Sequence, residues 1–354
     1  MIKRKSTRQI RVRNVCIGGN APVVIQSMTN TDITDTQATL AQIERLARAG
    51  CAIVRLAIPD EKAIESFTTI RRQTDLPLVA DIHFHHTLAI AAIEAGADKI
   101  RINPGNIGSP ARIRMVADAA KAARIPIRIG VNAGSLEKKL LEKYGSATPD
   151  ALSESAQNNI ARMREFGFSD LIVSIKASDV ITTIEACRRL AKASDIPQHI
   201  GITESGTVRS GSIRSSIGIG ALLSQGIGDT IRVSLAGDPL EEIAVAKEIL
   251  KSLGLAKGPI VIACPTCGRT RIDIAPLAAQ AEAMVTNLTE PVKIAVMGCV
   301  VNGPGEARDA DIGIAGGKGE GLLFIKGEVV RKVKEAEMLA VLKTEIEKFV
   351  GHPI

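Results

Sequence analysis

Aromatic side chains are almost missing from this sequence. Its 354 residues include no tryptophan, one tyrosine and six phenylalanines, together 2% of the chain. Nucleic-acid surfaces that work by stacking need such rings, so the net charge of +7 does not read as a strand-binding groove. Anionic small molecules or acidic protein partners account for that charge equally well. Long apolar runs are missing too. Although 45% of residues are hydrophobic, no stretch reaches the roughly 18 uninterrupted apolar residues of a membrane span. The basic start Met1-Ile2-Lys3-Arg4-Lys5-Ser6-Thr7-Arg8 leads into no apolar core of a secretory signal. The expectation is a cytoplasmic protein without membrane or nucleic-acid partners, whose six cysteines serve as thiols or ligands rather than disulfides.

What is present is a repeating unit. Residues 8–20 alternate polar and apolar and end in glycines, which reads as a hairpin. From Pro22 an apolar strand run, a polar turn and a helix-period segment recur. The runs begin at Val23, Ala52, Leu78, Lys99, Ile125, Leu171, His199 and Thr230, about eight in all, which predicts a (β/α)8 TIM-type barrel. Thr34 with Gln37 reads as a capping box for the first helix, and Gly50, Gly96 and Gly167 read as helix stops. A doubly wound sheet would need a glycine-rich nucleotide turn, and Gly218-Ile219-Gly220 falls inside a predicted helix instead. A helix over Glu241 to Leu253 and a connection at Lys257-Gly258-Pro259 divide the chain into 1–256, the hairpin and barrel, and 257–354, a small α+β domain. In the second part we expect strands ending at Cys264 and near Cys299, helices over roughly 275–287 and 334–349, and two strands around 311–330.

The second part carries Cys264-Pro265-Thr266-Cys267, and Cys299 follows about thirty residues on. A structural zinc site would want another cysteine or histidine pair, and the only histidine downstream is His352. Three thiolates suit an iron-sulfur cubane better, since three irons take cysteine and the fourth takes a weaker ligand or substrate. Glu306, after Gly303-Pro304-Gly305, is the candidate fourth ligand. Redox disulfide chemistry is a more distant alternative. Cys16, Cys51 and Cys187 read as packing residues.

Barrel active sites lie where the strands end, and these ends are charged. Arg55, Arg101, Arg128, Lys176 and Arg232 occur within or after apolar runs, where an idle buried cation would be costly. Together they form a receptacle for a diphosphate or similarly dense anion. The same ends offer Asp81, His83, Asn103, Asn132, Glu204 and Ser234. Asp81 and His83, two apart, face the same way, so the carboxylate can orient the imidazole. Glu204 can donate a proton or neutralise an arginine. His83-Phe84-His85-His86 also permits a weaker metal-site reading. Lys176 supports a rival chemistry: a lysine with lowered basicity could form a Schiff base, making the barrel an aldolase-like lyase on a phosphorylated sugar with a zinc-held accessory domain.

The chain resembles the 4-hydroxy-3-methylbut-2-enyl diphosphate synthase family of the non-mevalonate isoprenoid pathway. The likeness runs through Gln26-Ser27-Met28-Thr29-Asn30-Thr31, Ala80-Asp81-Ile82-His83-Phe84, Arg101-Ile102-Asn103-Pro104-Gly105 and Arg128-Ile129-Gly130-Val131-Asn132. It continues through Gly201-Ile202-Thr203-Glu204 and Arg232-Val233-Ser234 to Cys264-Pro265-Thr266-Cys267-Gly268-Arg269 and Met297-Gly298-Cys299 through Glu306. The resemblance implies reductive ring opening of 2-C-methyl-D-erythritol 2,4-cyclodiphosphate, with electrons from flavodoxin or ferredoxin passing through a 4Fe-4S cluster. It implies Cys264, Cys267, Cys299 and Glu306 as cluster ligands. Arg55, Arg101, Arg128, Asn132, Lys176, Arg232 and Ser234 would then anchor substrate, with Asn103, Asp81, His83 and Glu204 as polar or proton-handling neighbours. It further implies a head-to-tail homodimer and the compact form of the family, since no extra domain separates barrel from cluster domain.

Overall fold

A computed structural model describes residues 2–300, 305 and 307–354. The chain divides into two compact units, Met1–Leu255 and Ala256–Ile354.

The first unit opens with an antiparallel hairpin, β1 (Ile10–Val12) and β2 (Val15–Ile17). Eight parallel strands follow: β3 (Val24–Met28), β4 (Ile53–Ala57), β5 (Leu78–Ile82), β6 (Lys99–Ile102), β7 (Ile127–Asn132), β8 (Leu171–Lys176), β9 (His199–Ile200) and β10 (Thr230–Ile231). Their order is β8-β7-β6-β5-β4-β3-β10-β9, and a parallel bridge between Val173 and Gln198 joins the two ends. The sheet is therefore a (β/α)8 barrel, as the recurrence of apolar runs predicts.

The interior is layered because inward side chains recur every second residue. Val24, Ile53, Val79 and Ile172 form an apolar floor, which the hairpin plugs with Ile10, Val12 and Ile17. Two residues further along the same strands stand Gln26, Arg55, Asp81 and Ser174, and the lining turns polar. The outer faces of the strands join the helices in one large apolar core.

The first helix, Thr36–Arg48, corrects the expected capping box. Asp35 is its N-cap, accepting from the Ala38 amide, while the Thr34 hydroxyl donates to Asp32. A carboxylate one residue later satisfies the orphan amide, so Thr34 and Gln37 are not needed. Helix Val208–Leu223 contains Gly218, where a Cβ would stand 2.5 Å from Ile202 Cδ1. Short helices at Pro104–Ile107 and Lys138–Tyr144 were not apparent in the sequence pattern.

The second unit is a five-stranded sheet of β11 (Ile260–Ala263), β12 (Lys293–Met297), β13 (Ile312–Gly316), β14 (Glu320–Ile325) and β15 (Glu328–Lys334). The first three run parallel and the last three antiparallel. Two strands were expected after Cys299 and three are present; β15 is almost wholly exposed, so it lacks the apolar run that marks a strand. Helices Ile274–Met284 and Met338–Val350 cover one face through Ile274, Ala281, Met338, Leu342 and Ile346.

Candidate functional site

Six cations line the barrel, five within or at the ends of strand runs and Lys99 at the start of β6. Lys99, Arg101, Arg128 and Lys176 are buried, and the side chains of Arg55 and Arg232 are 13% and 17% exposed. Two buried carboxylates face them. Asp81 lies 3.0 Å from Arg101 Nη1, 3.6 Å from Arg55 Nε and 3.4 Å from His83 Nε2. The expected pairing of Asp81 with His83 is therefore present, in an arrangement shared with two guanidiniums. Glu242, from helix Pro239–Ser252, accepts two bonds of 3.2 Å from Arg232, one of 2.9 Å from Ser27 and one of 3.1 Å from the Leu235 amide.

The balance of charge decides what such a cavity can hold. Burial by itself would raise the Asp81 carboxyl, but Arg55, the His83 hydrogen bond, Arg101 and Arg128 outweigh it and hold Asp81 well below the usual carboxylate range. Arg55 is pushed down to about 10, first by burial and then by its neighbouring guanidiniums against the pull of Asp81. Burial, followed by Arg128 and Arg232, drives Lys176 well below the usual lysine range. Arg128 has two buried nitrogens, Nε and Nη1, with no partner, and Arg101 Nε is likewise unpartnered. Buried donors need acceptors, so this lining suits a group that brings them. A dense anion supplies them, and guanidinium forks are shaped for phosphate oxygens.

The remaining strand-end residues fall into three groups. The Asn132 amide oxygen accepts from Arg101 Nη2 at 3.2 Å, which braces that guanidinium. Asn103 is engaged within its own turn: its oxygen accepts from the Gly105 amide and its nitrogen donates to Ser135 at 2.7 Å. The Ser234 carbonyl accepts from Ser205, and its side chain is half-buried. Glu204 is exposed and has φ 52°, a left-handed conformation costing about 1 kcal/mol for a non-glycine residue. His83 and His85 are exposed, and Phe84 is 62% exposed.

Two glycines make room for the cations. A Cβ on Gly130 would lie 2.8 Å from Arg101 Nε, and one on Gly201 would lie 2.9 Å from Lys176 Nζ. Three buried polar residues escaped the sequence reading: Lys99, Glu242 and His199. Lys99 and Arg101 stand two apart on one strand, so both face inward; that spacing was the signal available. Glu242 sits in the first turn of a helix, where an acidic residue is ordinary, so the sequence offered no signal for it.

In the second unit, Cys264 directly follows β11 and Cys299 comes two residues after β12, its parallel neighbour. The Gly298 amide donates to Cys264 Sγ at 3.1 Å, and the Arg271 amide donates to the Gly298 carbonyl at 2.9 Å. These bonds stitch the two cysteine turns together. A Cβ on Gly298 would meet Thr270 at 2.9 Å, so the approach requires glycine there. Cys267 is exposed, and its thiol is lowered first by the Arg269 amide and further by Thr270. Among the described residues no three ligating side chains gather closely enough to hold a single ion. A cubane takes one thiolate per iron, so its ligands stand further apart than those of one zinc. An amide already aimed at a cysteine sulfur is the hydrogen bond such a cluster uses. The three thiols therefore fit an iron-sulfur group. Glu306 lies outside the described residues. Burial raises the Cys51 thiol to about 11 and the Cys187 thiol to about 12, in keeping with packing roles.

Fold and sites together define a (β/α)8 barrel with a buried cationic receptacle, followed by a small mixed-sheet unit presenting paired cysteine turns. The model of the GcpE TIM-barrel domain matches residues 7–247 and that of the GcpE protein C-terminal domain matches residues 260–348, so the chain belongs to the GcpE family. It is 56% identical over 352 residues to 4-hydroxy-3-methylbut-2-en-1-yl diphosphate synthase (flavodoxin) of Caldanaerobacter subterraneus, covering 99% of each chain. The enzyme of the same name from Natranaerobius thermophilus is 55% identical over 350 residues, covering 99% of this chain and 98% of that one. Among solved structures, an N-acetylneuraminic acid synthetase from Leptospira borgpetersenii matches with a TM-score of 0.52 at 12% identity, over 71% of this chain and 92% of that one, which shows the barrel fold alone. The lyase reading of Lys176 finds no support in these relatives.

Proposed function

We propose that this chain is a flavodoxin-dependent 4-hydroxy-3-methylbut-2-enyl diphosphate synthase of isoprenoid precursor biosynthesis, acting in the cytoplasm on 2-C-methyl-D-erythritol 2,4-cyclodiphosphate. Membership of the GcpE family supports this reading, and so do near-full-length relatives bearing that synthase name. The observation that carries it is the unbalanced receptacle: six cations against two carboxylates, with Arg128 donors left unpartnered. A cyclic diphosphate brings the missing negative charge and acceptors.

Arg55, Arg101, Arg128, Lys176 and Arg232 anchor the phosphates in this proposal. Asn132 steadies Arg101, and Asn103 and Ser234 shape the rim. Asp81 stays ionised and holds His83 through Nε2 at 3.4 Å, and the imidazole is a proton-handling group in this proposal. Glu204 is the second proton-handling group. Cys264, Cys267, Cys299 and Glu306 would hold the 4Fe-4S cluster, which supplies low-potential electrons one at a time. The conversion takes in two electrons and two protons and releases one water. The barrel unit binds substrate, the second unit carries the cluster, and the subunits pair head-to-tail.

Iron, acid-labile sulfide and zinc content of protein purified without oxygen tests this assignment. About four irons and four sulfides per chain are expected. One zinc without sulfide after attempted reconstitution would overturn the redox reading.

A further inference from the structure

Lys99 is a buried cation that the proposed chemistry does not use. It opens β6 on the inward face, is fully buried, and donates to Gln26 Oε1 at 3.0 Å. Gln26 on β3 accepts its hydrogen bond, and Arg128 on β7, Arg55 on β4 and His199 on β9 are within electrostatic reach; Asp81, Arg101, Lys176 and Arg232 complete the charged lining of the barrel. Glu242 faces in from its helix. Both carboxylates are already engaged, Asp81 by Arg55 and Arg101 and Glu242 by Arg232. Among the described residues, neither Lys99, Arg128 nor Lys176 has a carboxylate within ion-pair distance.

Three neighbouring buried cations are costly to keep charged together without a counter-ion. A guanidinium does not give up its proton, so the lysines must. Burial first, and then Arg128 and Arg55, drive Lys99 well below the usual lysine range. His199 answers the same surroundings: it is held neutral with Nδ1 against Thr230 Oγ1 at 2.7 Å and Nε2 unpartnered. A ligand dianion about 8 Å from an ammonium, in an effective dielectric of about 20, shifts its protonation equilibrium about a thousandfold. That is enough to return a proton to a lysine that had lost one.

We propose that Lys99 is a charge-matching positioning residue, neutral in the empty barrel and taking up a proton when a diphosphate settles against Arg128. It does not touch the ligand. Its role is to let the chamber hold a surplus of cations only while an anion is present. The inference rests on the diphosphate reading of the barrel mouth.

Calorimetric titration of the cluster-loaded protein with 2-C-methyl-D-erythritol 2,4-cyclodiphosphate near pH 8, in buffers of different ionisation enthalpy, tests it. Wild type should bind with uptake of about two protons, one at Lys99 and one at Lys176, and its affinity should fall as pH rises. Lys99→Met should fold, since a buried amine is replaced by an apolar chain of similar length. It should bind roughly tenfold more weakly and take up about one proton fewer than wild type. Should that variant fail to fold, Gln26→Glu carries the test: a carboxylate beside Lys99 keeps it charged before ligand binds, so uptake should fall by about one proton. Binding without proton uptake in wild type, or unchanged uptake in whichever variant is folded, overturns the role of Lys99 and leaves the proposed function standing. No binding in any buffer overturns both.

Discussion

Asp81 is where the charge balance of the barrel is most exposed to test. Two guanidiniums and an imidazole converge on it. Its native value lies below the unfolded one of about 3.9, so the stability it contributes is complete above that pH. That stability is lost only as pH falls through the lower native value. Between about pH 5 and 9, a pH profile of kcat/KM should show no limb belonging to Asp81. Asp81→Asn strands Arg55 and Arg101 as buried charges and should cost about 3 to 5 kcal/mol of unfolding free energy by denaturant titration. It should also raise KM for substrate. At Gly130 the constraint is steric: Gly130→Ala pushes a methyl group into Arg101 and should raise KM with little change in melting temperature. The sequence made the strand-end cations visible because each interrupts an apolar run. Lys99 hid in the same pattern because it begins its run, and Glu242 hid because acids are common in a first helical turn.

The hairpin and the cysteine turns are the elements whose removal should separate the two units in experiment. Ile17 is fully buried on the barrel floor with Val24, Ile53, Val79 and Ile172. Ile17→Ala should cost about 3 kcal/mol, read by denaturant unfolding of the barrel, and leave iron content unchanged. Gly298→Val should do the reverse. By forcing Thr270 away, it separates the turns of Cys264 and Cys299, so iron and sulfide per chain should fall while the barrel keeps its stability. Element boundaries were legible where apolar runs were long: β5 and β8 begin at Leu78 and Leu171, where the sequence places them. They were not legible where side chains face solvent, as in β15, or where a neighbouring carboxylate took over a cap, as at Asp35.

At the scale of the whole molecule, a chain of net charge +7 with few aromatics holds an unbalanced cationic chamber in one unit and paired cysteine turns in the other. The barrel followed from periodicity alone. The charged strand ends and the cysteine turns followed from where charge and thiols fall on that periodicity, while the reaction was read from resemblance, and Glu306 lies outside the described residues. If the basic surface receives an acidic electron donor, KM for flavodoxin should rise with ionic strength while KM for substrate changes less. The central claim is tested most directly by incubating the cluster-loaded protein anaerobically with reduced flavodoxin and the cyclodiphosphate, and counting product against flavodoxin oxidised. The expected result is 4-hydroxy-3-methylbut-2-enyl diphosphate, two electrons consumed for each molecule formed and no product without reductant. Product formed without reductant, or no product from protein with a full cluster and a demonstrated bound substrate, would contradict it.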